Sequence, residues 1–198
     1  MERVAVFIDN GYLKKVQENL KIYADYEKFS NEIVGSNPEI AMRFRTYVYD
    51  CPPYQSNPPT KEQSILKAGF DSFRYNVTRL PRFEFRMGRL QLQRDEFGEV
   101  LTKKDGTPLL RQKWVDMALG IDVAKLATTK QIQKVILVAG DYDFLPAIMA
   151  AKQEGALVTL YYSTQSYIHD GLYEACDDRY EITKELLKKC ERIRTNRI

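Results

Sequence analysis

The run Val135-Ile-Leu-Val-Ala-Gly-Asp141-Tyr-Asp143-Phe has the composition of a buried strand and stops abruptly in two carboxylates two residues apart. Two unit charges held about 4 Å apart repel by roughly 4 kcal/mol at an effective dielectric near 20, so a cation, a proton or a reaction usually accounts for such a pair. A second apolar run, Val4-Ala-Val-Phe-Ile8, ends the same way, in Asp9-Asn10-Gly11. These two acid-tipped strands constrain the fold, because side chains that must meet require their strand ends to lie on one edge.

The segments between them set the topology. Helical patterning follows the first strand, breaks near Tyr23 to Asp25 and resumes to about Val34, where Gly35-Ser-Asn-Pro38 ends it. Met42 to Tyr49 is rich in β-formers and stops at Asp50-Cys-Pro-Pro53; a helix from about Thr60 to Phe73 and a short strand from Tyr75 to Leu80 are expected next. Helices are expected over Lys113 to Thr129, from the Asp141 turn to about Gln153, over Ser166 to Glu174 and over Thr183 to Arg194, with a strand at Leu157 to Tyr162. Strands alternating with helices imply an α/β fold with a mainly parallel, doubly wound sheet. Phe83 to Gln93 instead alternates apolar and polar residues, and Asp95-Glu-Phe-Gly98 and Lys104-Asp-Gly106 supply turns. Residues 82 to 111 therefore read as a β-hairpin insertion in a single domain of 198 residues.

Composition narrows the chemistry. At 44% hydrophobic and 29% charged the chain is an ordinary globular one. Its apolar runs are of strand length, and Met-Glu-Arg leads straight into a strand, so neither a membrane span nor a signal peptide is expected and the cytoplasm is the expected compartment. Cys51, Cys176 and Cys190 are widely spaced and His169 is the only histidine, which argues against a disulfide framework and against zinc. Carboxylates remain as ligands, and they suit Mg2+ or Mn2+. Charge is uneven: Arg74 to Lys113 holds ten Lys or Arg against five acids, an excess of five that leaves the remainder at −2. A basic segment beside acid-tipped strands is the division expected of a metal-dependent enzyme acting on a polyanion.

In an open parallel sheet, ligands bind beyond the carboxyl ends of the strands where strand order reverses. Asp9, Asp141 and Asp143 stand at such ends, and Lys113 and Asp116 are expected on one face of the first turn of the next helix. Each has an ordinary use as well. Asp141 or Asp143 can cap the following helix, Asp9 can belong to a turn, and Lys113, Asp116 and Asp122 can be solvated helix residues. Arg79, Arg82, Arg86 and Arg89, interleaved with Tyr75, Phe83 and Phe85, combine phosphate-pairing charge with rings that stack on bases, the pattern of single-stranded nucleic-acid binding. Strict alternation would instead turn Phe83, Phe85 and Met87 to one face and Arg82, Glu84 and Arg86 to the other, leaving packed rings and solvated arginines as the plainer reading.

Taken together, Phe7-Ile-Asp9-Asn10-Gly, Lys113-Trp-Val-Asp116-Met-Ala-Leu-Gly-Ile-Asp122 and Val138-Ala-Gly-Asp141-Tyr-Asp143-Phe-Leu resemble, in order and spacing, the NYN-domain proteins, the LabA-like branch of the PIN-like nucleases. Ala175-Cys-Asp177-Asp178-Arg-Tyr-Glu-Ile182 is similar to that family's closing motif. The resemblance implies a PIN-like fold and a metal-dependent endoribonuclease in which Asp9, Asp116, Asp141 and Asp143 hold the metal, Asn10 supports Asp9, Lys113 contacts the scissile phosphate and Asp122 is a further acid. Its partner would be RNA, single-stranded or structured, and a homo-oligomer is compatible with it. Two departures stand out: Trp114 where glycine is common, and Tyr12 near a position often filled by asparagine. The alternatives are a non-catalytic RNA-binding or regulatory module on the same fold, and a phosphomonoesterase of the haloacid dehalogenase class, whose Asp-x-Asp belongs at the first strand rather than a late one. Neither a G-x-G-x-x-G nor a Walker motif occurs to support a nucleotide-binding enzyme.

Overall fold

The computed structural model describes residues 1–35, 39–104 and 106–192. In chain order the elements are β1 (Glu2–Asp9), α1 (Asn10–Leu20), α2 (Tyr26–Val34), β2 (Ala41–Asp50), α3 (Lys61–Thr78), β3 (Phe83–Met87), β4 (Arg89–Leu92), β5 (Leu110–Lys113), α4 (Val115–Thr128), β6 (Lys134–Val138), a 3-10 turn (Tyr142–Phe144), α5 (Leu145–Gln153), β7 (Leu157–Tyr162), α6 (Asp170–Ala175), β8 (Asp178–Glu181) and α7 (Lys184–Lys189). Six strands form one sheet in the order β3-β2-β1-β6-β7-β8. Every pairing in it is parallel, so this is the expected PIN-like, doubly wound α/β architecture. Strand order reverses between β1 and β6.

Period-two alternation along β1 builds a core on each side of the sheet. Ala5 and Phe7 face one layer, with Val115, Leu119 and Val123 of α4, Ala147, Ile148 and Ala151 of α5 and Leu172 of α6. Val4, Val6 and Ile8 face the other, with Leu13 and Val16 of α1, Phe29 and Ile33 of α2, Val77 of α3 and Leu187 of α7. Because β1 is covered on both faces it reads as a continuous apolar run, the mark of a central parallel strand. No described helix is long and apolar enough to cross a membrane, and all three cysteines are free and buried.

Several expectations are corrected. Tyr75 to Leu80 is not a strand: α3 runs on to Thr78 from a Thr60–Gln63 capping box. The ring of Phe70 packs edge-on against Phe85, as does that of Phe73, and Val77 is buried on the same side, so tertiary packing overrides the β-preference of Tyr-Asn-Val-Thr. Phe83 to Gln93 is two strands rather than one. β3 joins the main sheet parallel to β2, while β4 leaves it to pair antiparallel with β5, so the hairpin insertion begins at Arg89 and ends at Lys113. The break falls at Gly88, where a Cβ would lie 2.4 Å from Cys51 Sγ and 2.5 Å from Val115 Cγ2. Lys113 is thus a strand residue and not part of the first turn of α4. Of Ser166 to Glu174 only the part from Asp170 is helical, and the last helix ends at Lys189. Asp105 in the turn expected at 104–106, the helix stop at 36–38 and the tail from 193 lie outside the described residues.

Candidate active site at the switch point

Asp9 closes β1 at the point of strand reversal. Its Oδ1 accepts the Gly11 amide at 2.9 Å and the Tyr12 amide at 3.2 Å, capping α1. Burial pushes its carboxyl up to about 6, the two amides oppose this, and the charges of Asp116 and Asp50 add to the rise. Asp116 sits in the first turn of α4. Burial raises its pKa too, followed by the charges of Asp141 and Asp143, against which Arg111 acts. Asp141 is exposed beyond β6 and caps the 3-10 turn by accepting the Asp143 amide at 3.2 Å; Asp143 is exposed on that turn. Asp116 thus feels Asp141 and Asp143, and Asp9 feels Asp116, so the four acids form one electrostatic crevice although they come from three separate places in the chain.

The chain leaves β6 through Gly140, and only glycine fits there. A Cβ would stand 2.4 Å from the Tyr167 carbonyl oxygen and 2.5 Å from Tyr12 Cε2. Tyr12, one of the two departures, is buried, and its hydroxyl accepts the Ser163 amide at 3.0 Å. It therefore ties α1 to the turn after β7 beneath the crevice. Gly140→Ala is expected to lower the unfolding free energy by about 1–3 kcal/mol through overpacking; urea denaturation checks it, and a loss under about 0.5 kcal/mol, the size of an ordinary surface substitution, would show that Tyr12 can yield.

Asn10 does not support Asp9. It is fully buried and points the other way, its Nδ2 donating to Asp50 Oδ2 at 2.6 Å while its carbonyl oxygen accepts the Tyr26 hydroxyl. Asp50 joins the site's surroundings without having been singled out by sequence. It ends β2, beside β1, where its neighbour Tyr49 pairs with Asp9. Only 6% exposed, it also accepts Lys14 Nζ at 2.7 Å and the Cys51 amide at 2.8 Å. The signal that could find it is a third strand ending in an acid.

Asp122 lies apart from the four. Its Oδ2 accepts the Tyr49 hydroxyl at 2.8 Å and Arg86 Nε at 2.9 Å, and Arg86 also reaches Glu84 at 2.6 Å. Asp122 therefore holds α4 to β2 and β3, and Arg86 is an internal ion-pair partner rather than a free phosphate contact. Arg82 donates to the Arg43 carbonyl at 3.0 Å and precedes β3, upstream of the carboxyl edge. Arg79 lies over the Tyr75 ring and bonds its hydroxyl at 2.6 Å, on the same upstream side. Because β3 is parallel to β2, the residues that lead directly into Phe83 lie at the end of the sheet opposite the acids. Arg89 and Lys113 are different: they face each other across the β4–β5 hairpin, both exposed, at the start of α4. His169 caps α6 through Nδ1, which accepts the Gly171 amide, and stacks on Tyr142.

Among the described residues, no three His, Cys, Asp or Glu side chains close around one point as a metal cage would. The donor set is still all carboxylate, buried enough to raise Asp9 and Asp116 and open to water at Asp141 and Asp143. That set fits a hard divalent ion that keeps several waters of its own.

Known proteins bear on these observations. A protein of unknown function from Vibrio parahaemolyticus has a crystal structure that superposes with a TM-score of 0.58 at 20% identity, over 92% of this chain and 93% of that one, which supports the fold alone. An ATP-dependent helicase/nuclease component found in two Streptococcus thermophilus strains is 28% identical over 111 residues, 54% of this chain. The matched stretch is only 9% of the length of those relatives. The model of the NYN domain family matches residues 3–183, which takes in β1, the hairpin, α4 and all the strand-end acids. A match of that extent places the chain in the NYN domain family, a family of nuclease-type domains.

Proposed function

We propose that this chain is a divalent-metal-dependent endoribonuclease that hydrolyses RNA phosphodiester bonds at the carboxylate crevice. The observation that carries it is the electrostatic coupling of Asp9, Asp116, Asp141 and Asp143 at the switch point of the sheet. Carboxylates that raise one another's pKa destabilise a fold while they are ionised, so their joint placement calls for a cationic or reacting guest. Asp9 and Asp116, with Asp141 and Asp143, would hold Mg2+ or Mn2+, which when bound supplies charge neutralisation and activation of water. The chain's own residues do the rest. The amides of Gly11 and Tyr12 fix the Asp9 carboxylate in one orientation, and the Asp143 amide does the same for Asp141. Lys113 and Arg89 on the hairpin rim offer exposed positive charge to the phosphate backbone. Asp122 supports the site only indirectly, by fixing α4.

Purified protein is expected to cut single-stranded or structured RNA with magnesium or manganese, to stop in EDTA, and to lose roughly 100-fold or more in rate in Asp141→Asn, the scale set by removing a group that stabilises transition-state charge. Cleavage that persists in the variant would point to a contaminant. A second reading, a non-catalytic RNA-binding module, is favoured by one observation, the lack of a closed trio of donors among the described residues. RNA affinity unchanged by EDTA, together with no turnover on any RNA, would establish that reading instead.

A further inference from the structure

Trp114 is the chain's only tryptophan and it is held at a disadvantage twice over. Its backbone is left-handed, with φ 77°, a conformation that glycine takes freely and a bulky residue resists. The residue is 57% exposed, although tryptophan is among the side chains that gain most from burial. Neither choice serves the fold, since α4 starts on the buried Val115 and receives no side-chain cap from Trp114. Strain of this sort clusters at working sites.

The surroundings specify the work. Asp116, one of the crevice acids, is two residues on, in the first turn of α4. The guanidinium of Arg89 stands 5.8 Å from the indole centroid, and Arg111 and Lys113, both exposed, precede Trp114 along β5. A flat apolar ring in water, flanked by cations and next to the acids, is the combination that binds a nucleobase by stacking while its phosphates are paired. We infer that Trp114 is a base-stacking subsite of the crevice, which takes an unpaired nucleobase of the substrate strand and selects single-stranded over duplex RNA. This rests on the reading of the crevice as an RNA site.

A second copy of the chain is the competing occupant, because Met117 and Ile121 continue an exposed apolar stripe from Trp114 along α4. The exposed cations Arg89, Arg111 and Lys113 beside the ring favour a polyanion over a second copy of a chain whose own net charge is +3.

The lone tryptophan supplies its own probe. Short single-stranded oligoribonucleotides are titrated into wild-type protein in EDTA and into Asp141→Asn protein in magnesium, where cleavage is silent, while tryptophan emission and the anisotropy of a labelled strand are read together. Emission is expected to be quenched in step with binding, and an abasic ribose-phosphate oligomer to bind without quenching. Trp114→Gly, which suits the left-handed backbone, is expected to bind the strand about tenfold more weakly with an unchanged salt dependence; Trp114→Phe should retain most of the affinity. Binding that leaves emission unmoved, or equal affinity in Trp114→Gly, would overturn the subsite and leave the RNA reading standing. No binding of any RNA would remove both. An emission change that follows protein concentration without RNA would overturn it as well, assigning the face to a second copy.

Discussion

Asp9→Asn is expected to abolish cleavage and, at the same time, to stabilise the folded protein by about 1–3 kcal/mol near neutral pH. Asn fills the cap as well as Asp does, so the bonds from the Gly11 and Tyr12 amides survive. What disappears is the charge. Burial, with Asp116 and Asp50 adding, raises the folded pKa from 3.8 to about 6, and each unit of such a shift is about 1.4 kcal/mol. A carboxyl raised on folding favours the folded state while it is protonated. Its contribution is therefore complete below about pH 4, declines as pH rises toward 6, and is gone above that. Urea denaturation between about pH 4 and pH 7.5 should show wild-type stability falling across this window, with a residue of slope from Asp116 in the variant. Divalent cations should act in the opposite sense, raising wild-type stability at about pH 7.5 more than at about pH 5 and acting less on Asp9→Asn. A variant that is less stable than wild type near neutral pH, or that keeps the full pH slope, would refute this account of Asp9.

The contrast between what can and cannot be read from the sequence has a physical pattern. β1 and β6 are central strands covered on both faces, so their apolar runs announce themselves, and the order of strands and helices between them leads to the parallel sheet. Asp9 and Asp141 are legible because each closely follows such a run. Phe83 to Gln93 misleads because an edge strand of a parallel sheet and an arm of a hairpin share the same alternation. The bend between them is made by Cys51 and Val115 crowding Gly88, contacts distant in sequence. Lys113 and Asp116 do not share a helical turn, since helix periodicity does not reveal that the intervening Trp114 is left-handed. Asp50 is hidden for a related reason: its partners Asn10 and Lys14 lie 40 and 36 residues away, on a helix whose position depends on the finished sheet. Arg86 and Asp122 each suggest a ligand when taken singly, yet they are 36 residues apart and answer one another. Isolated charges in a sequence invite a functional reading, and only the fold tells which already have a partner.

Asp50 gives the opposite result from its neighbour. Asp50→Ala is expected to cost about 2–4 kcal/mol of stability, although it removes a like charge from beside Asp9. The carboxylate is only 6% exposed and accepts from Asn10 Nδ2, Lys14 Nζ and the Cys51 amide. Truncation leaves the Asn10 amide, itself fully buried, without its acceptor, and the Cys51 amide loses its side-chain partner. Lys14 contributes least, because its side chain is 46% exposed and turns to water when released. Asp50→Asn retains acceptor capacity for one or two of the three donors and should fall between. Both changes also remove one of the charges that raise Asp9, so the pH window assigned to Asp9 should move downward in each. Two acids at adjacent strand ends thus differ by whether the chain supplies their counter-charge. Asp50 has Lys14 and a buried amide, so its removal harms the fold; the groups that act on Asp9 among the described residues are backbone amides and other acids, so its charge awaits something from outside. Equal and small effects of Asp9→Asn and Asp50→Ala on urea midpoints would refute that distinction.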